Sequence, residues 1–103
     1  MKFVLSYTVN IGGSAAERVR SGEAAQKLLS SWTPSEKATI HQWLQRCDGN
    51  GGFSVIETDD AAAMFKDLAT WSPWLTFEVF PVLDIGDSAP LQQEAIDAAK
   101  GVL

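Results

Sequence analysis

The sequence predicts an α+β sandwich: a four-stranded antiparallel sheet with two helices on one face and a further helix at the end. Three observations carry that expectation. Apolar and polar residues alternate in several separate stretches of strand length, and the period lengthens to a helical one after the first and third of these. Between the second and third stretches lies Asp48-Gly49-Asn50-Gly51-Gly52, a turn sequence that tolerates positive φ and joins neighbouring strands. Composition agrees, because 103 residues with 46% hydrophobic and 20% charged side chains can bury a core.

Taken in order, residues 2–10 place Phe3, Leu5, Tyr7 and Val9 on one side and Val4, Ser6 and Thr8 on the other. That is a strand with one apolar and one mixed face. Gly12-Gly13 ends it, and Ser14 with Glu17 forms a capping box for a helix from Ala15 to about Ser30. Ala15, Val19, Gly22, Ala25 and Leu29 share a stripe of that helix. Gly22 marks either a break near Ser21 or a close approach of helix to sheet, and close approach is the favoured reading.

Ser31 to Lys37 is a polar loop. Thr39 to Arg46 reads as a second strand, with Ile40, Gln42 and Leu44 opposite His41, Trp43 and Gln45. A helical reading competes there, since neither parity is cleanly apolar. After the turn, Phe53 to Glu57 is a third strand. The period then changes, with Ala61, Met64, Phe65 and Leu68 on one face of a helix from Asp60 to about Thr70, capped at Thr58 or Asp59. Ser72-Pro73 stops it. Leu75 to Leu83 is the fourth strand, and Pro81 puts it at a sheet edge or at its own end. A last helix is expected from Pro90 to Val102, capped by Ser88.

The order β-α-β-β-α-β with a C-terminal helix is that of a ferredoxin-like sandwich, expected as one domain over residues 1–103 with its core in 1–84 and a helical tail in 88–103. The face away from the helices is expected to present Val4, Ser6, Thr8, His41, Trp43, Gln45, Ser54, Ile56, Thr76, Glu78 and Phe80. That set is too apolar for a solvated face and too polar for a dry core. It implies a homodimer through that face enclosing a partly polar cavity, or a pocket covered by the C-terminal helix.

Charge and cysteine usage narrow the class. A net charge of −5 with scattered cations disfavours nucleic acid as a partner. No stretch reads as a membrane span or a secretory leader, and the single Cys47 forms no intramolecular disulfide, so a cytoplasmic location is expected. No cofactor and no metal are expected: one His and one Cys match no zinc spacing.

The Met1-Lys2-Phe3-Val4 opening, Gly51-Gly52-Phe53, Glu57-Thr58-Asp59-Asp60 and Phe77-Glu78-Val79-Phe80-Pro81-Val82-Leu83-Asp84 together resemble a family of small bacterial proteins known as a domain of unknown function. That family is similar to the dimeric α/β-barrel superfamily. The resemblance covers most of residues 1–84 and implies a ferredoxin-like protomer that dimerises, with no activity to carry over. An aromatic-His pair often marks the second strand of such proteins, whereas here Trp43 is followed by Leu44 and the histidine comes earlier, at His41.

Among chemistry-bearing residues, His41 is the only histidine, and Glu78 could orient it as a general base. The plain alternative is a hydrogen-bonded histidine on an outer strand. Trp43, Phe80, Ser6, Thr8 and Tyr7 are the expected ligand contacts, although four tryptophans can equally fill a small core. Helix capping accounts for Asp59 and Asp60 without a cation. Acidic neighbours disfavour Cys47 as a nucleophile, and the glycine-rich turn opens no helix that would cradle phosphate. Three functions remain: a small-molecule-binding homodimer, a cofactor-independent monooxygenase- or isomerase-like enzyme using His41, and a protein-interaction module.

Overall fold

A computed structural model describes residues 1–103. The elements run β1 (Lys2–Val9), α1 (Ala15–Ser31), β2 (Ala38–Gln45), β3 (Gly51–Thr58), α2 (Ala61–Trp71), β4 (Leu75–Val82) and α3 (Ile85–Lys100). The strands form one antiparallel sheet in the order β2-β3-β1-β4. This is the ferredoxin-like arrangement with an added C-terminal helix. Pro81 lies on β4, an edge strand, where the missing N–H breaks no central ladder.

Cross-strand register decides which side chains face the helices. Leu5 pairs with Ser54 and Val79, and Tyr7 with Gly52 and Phe77. Residues directly opposite each other share a face, so the helix side of β3 carries Gly52, Ser54, Ile56 and Thr58, all buried. Ser54 and Ile56 therefore do not lie on the outer face, as alternation alone had implied; Phe53, Val55 and Glu57 do. The polar core positions are satisfied locally, Ser54 Oγ donating to the Gln42 carbonyl at 2.9 Å and Thr58 Oγ1 to that of Lys37 at 2.7 Å.

Strand β2 departs from alternation for a different reason. Its register slips between Ile40 and Gln42, a bulge that inserts His41 as an extra residue. Ile40 and Trp43, of opposite parity in sequence, consequently share the helix side. Trp43 and Gln45 are not outer-face residues; Gln42 and Leu44 are.

The helices show three further differences. Asp60, one residue past the expected cap, accepts from Ala63 N–H at 3.1 Å. The buried face of α2 is Ala63, Asp67 and Trp71, while Phe65 is exposed. Asp67 is tolerated there because both carboxylate oxygens accept from Ser35 N–H at 3.1 Å, pinning the α1–β2 loop. Helix α3 starts at Ile85 rather than Pro90, with Asp84 as its cap and Pro90 inside it. Ser88 N–H and Asp87 N–H close the first turn on the Asp84 carbonyl, so the helix is already established when the proline arrives.

Every residue of α3 except Ser88 is exposed, so this helix does not cover the sheet. Leu44, Phe53 and Phe80 on the outer face are all about half exposed. The molecule is accordingly long, 63 × 30 × 21 Å with a radius of gyration of 18.3 Å, against roughly 13 Å for a compact chain of this length. No helix is long and apolar enough to cross a membrane.

Candidate functional site

The helix side holds a cavity under α1, where Ser21, Gly22 and Ala25 are small. Arg18, Ser21, Gly22, Ala25, Gln26 and Leu29 line it from α1 at spacings of one helical stripe. The helix is unbroken through Gly22, and a Cβ built there would meet nothing within 4 Å. Gly22 thus marks open space, not the close helix–sheet contact anticipated from its position. The space is a cavity of about 490 Å³, within the range of small-molecule sites.

Aromatic side chains form the opposite wall. Tyr7 comes from β1, Trp43 from β2, and Trp71 and Trp74 from the end of α2 and the turn after it. Trp43 and Trp71 meet edge to face at 5.2 Å between ring centroids, and Trp32 packs perpendicular to both at 5.8 and 5.6 Å. Trp74 joins Trp71 at 6.1 Å. Such T-shaped contacts place the positive edge of one ring on the negative face of the next. The four tryptophans form one connected cluster, of which Trp43, Trp71 and Trp74 line the cavity and Trp32 packs behind Trp43 and Trp71.

Hydrogen bonds set the wall's geometry. Trp43 Nε1 donates to Tyr7 Oη at 3.1 Å, and Tyr7 Oη donates to the Leu44 carbonyl at 2.8 Å. Gly52 makes room for this pair: a Cβ there would overlap the Leu44 carbonyl oxygen and the Tyr7 ring. Trp74 Nε1 donates to the Ser21 carbonyl at 3.1 Å, a strut that ties α1 to the aromatic wall. The indole N–H of Trp71 is buried without a partner.

Of the residues singled out in the sequence, Tyr7 and Trp43 line this cavity. Ser6, Thr8, Glu78 and Phe80 lie together on the outer face of β1 and β4. His41 does not meet Glu78, since β2 and β4 are opposite edges of the sheet. Its partner is Glu57, at 2.8 Å and exposed. Sequence reasoning missed Trp71, Trp74 and the α1 stripe as cavity residues. The available signal was the small residues Ser21, Gly22 and Ala25 on one stripe, which suit either a close helix–sheet approach or open space beneath the helix.

The shifted carboxylates belong to caps and turns rather than to the cavity. Asp60 is held below the usual aspartate range by the Ala63 N–H and then by Lys37. The chain's terminal ammonium does the same for Asp59, and the Asn50 N–H for Asp48. Asp84 hydrogen-bonds Lys2 at 2.9 Å and raises its pKa. Nowhere do three His, Cys, Asp or Glu side chains gather as a metal site requires.

A family model for DUF3303, a domain of unknown function, matches residues 1–96. The chain belongs to this family. The match spans the sheet, α1, α2 and most of α3, so the cavity and its aromatic wall lie wholly within the family domain. Among curated proteins, none matches the chain. For this DUF3303 protein the chemistry of the site rests on its geometry: an aromatic wall, a helical roof, and the polar side chains of Asn10, Arg18, Ser21, Gln26 and Gln45 in the lining.

Proposed function

We propose that the protein binds a small, largely apolar molecule in the cavity between α1 and the sheet, and that it does so as a homodimer joined through the outer sheet face. The observation that carries the first part is the cavity itself. About 490 Å³ of space is walled by tryptophans on one side and roofed by a helix with no buried residue on the other. A core side chain that filled this space would stabilise the fold, by roughly 1.5–3 kcal/mol for a buried Leu or Phe. Small residues at Ser21, Gly22 and Ala25 leave that stabilisation to an occupant.

The dimer reading rests on the opposite face. Leu44 pairs with Phe53 in one row, and Val55, Val4 and Phe80 form the next, giving a contiguous apolar patch. Patches of this kind on an antiparallel sheet mark interfaces. Helix α3 likewise presents Ile85, Leu91 and Ile96 to solvent in one copy.

Native mass spectrometry of gently purified protein tests both parts. The expected spectrum is a dimer carrying one small molecule per chain, with the bound mass lost from Gly22→Leu while the dimer persists. A bare dimer of wild-type protein that also fails to take up apolar aromatic probes contradicts the cavity reading, and a monomer at all concentrations contradicts the dimer.

A further inference from the structure

We infer that the cavity's ligand is an acid: an apolar, ring-containing molecule whose single carboxylate is met by Arg18. The inference rests on the cavity reading above and specifies the chemistry of its occupant. In a chain with 13 acidic and 8 basic residues, no Asp, Glu, Lys or His lines the cavity. The one charged side chain there is a cation, Arg18, and it is not neutralised. It takes no part in any of the protein's ion pairs. The only hydrogen bond of its guanidinium is a long one, Nε donating to the Gly13 carbonyl at 3.4 Å, which leaves the two terminal nitrogens of the fork uncommitted. A guanidinium presents those N–H groups in the geometry that a carboxylate accepts.

Position agrees with charge. Arg18 lies in the first turn of α1 and is exposed, while Trp43 and Trp74 of the cavity lining are half-buried and Trp71 is buried. A ligand with a flat apolar body and an acid at one end would lay its rings against Trp43, Trp71 and Trp74 and its carboxylate at Arg18. Gln26 and Gln45 add uncharged amides to the lining. A basic ligand would meet the guanidinium with no carboxylate to balance it.

Isothermal titration calorimetry with three probes of one shape tests this: naphthoate, naphthalenemethanol and naphthylmethylammonium. Naphthoate is expected to bind on the order of tenfold more tightly than the neutral alcohol, with the cation weakest. Arg18→Gln should abolish the preference for the acid while leaving the alcohol bound, and Arg18→Lys should keep part of it. Equal binding of acid and alcohol, or an equal loss of both in Arg18→Gln, overturns the inference and leaves the cavity reading standing. Failure of all three probes to bind overturns the cavity reading, and the inference with it.

Discussion

Trp43 Nε1 donates to Tyr7 Oη at 3.1 Å, and this bond joins an edge strand to a central one across the floor of the cavity. Tyr7 passes the bond on to the Leu44 carbonyl at 2.8 Å, so one hydroxyl satisfies a half-buried donor and an acceptor together. Removing it in Tyr7→Phe leaves both unpaired. The expected cost is about 1–3 kcal/mol, read as a lower urea midpoint with an unchanged slope. An unchanged midpoint would mean that water replaces the hydroxyl.

Gly52→Ala should be worse than its small size implies. The added methyl overlaps the Leu44 carbonyl oxygen and the Tyr7 ring in the middle of the sheet, where neither backbone can retreat. We expect a loss of roughly 2–4 kcal/mol or failure to fold, against nearly nothing for Gly12→Ala, whose Cβ meets open space. Thermal melts of the two variants make the comparison.

Gly22 separates stability from binding. Gly22→Ala places a better helix former where nothing obstructs it and should stabilise by up to about 1 kcal/mol. Gly22→Leu keeps the helical gain but projects its side chain into the cavity, so probe affinity should fall at least about tenfold. Stability from thermal melts and affinity from titration should therefore move in opposite directions.

Asp60, Asp59 and Asp48 make the acid side of the stability profile predictable. Each has its folded pKa below the ordinary aspartate value: Asp60 through the Ala63 N–H, Asp59 through the terminal ammonium, and Asp48 through the Asn50 N–H. A carboxyl with a depressed folded pKa binds its proton more weakly in the native state. Its contribution is complete above about pH 4 and is lost as pH falls through the lowered folded value. Melting temperature should drop along that limb. Asp60→Asn, which keeps an accepting oxygen and cannot titrate, should drop less steeply than wild type, and identical limbs would remove Asp60 from the account.

Phe53→Asp tests the dimer. Phe53 is exposed on the outer face beside Leu44, so a carboxylate there costs the isolated chain little and disfavours a second copy. Sedimentation should give a monomer for the variant with unchanged circular dichroism. A persistent dimer would move the interface to another surface, α3 being the next exposed one.

The sequence made β1, the Ser14 cap, the central turn and the overall order of elements legible because each follows from local alternation or capping chemistry. The faces of β2 and β3 were not legible, for two physical reasons. The bulge at His41 reverses the alternation halfway along β2, so Trp43 turns inward. On β3 the buried side is Gly52, Ser54 and Thr58 with a single large apolar residue, Ile56, while Phe53 and Val55 face out, the opposite of what hydropathy alone selects. Register with β1 decides this, and register is a property of the assembled sheet. Tyr7 and Trp43 stand out from their chemistry, and both line the cavity. The cavity itself was not legible, because its existence depends on how far α1 stands from the sheet.

The most direct measurement is a two-dimensional NMR titration with naphthalenemethanol, following the four tryptophan indole N–H signals and the backbone amides. The indoles of Trp43, Trp71 and Trp74 should shift together with the amides of Ser21 to Gln26, while His41 and Phe80 stay fixed. Shifts confined to Leu44, Phe53 and Phe80 on the outer face, or none at all, would contradict the cavity reading.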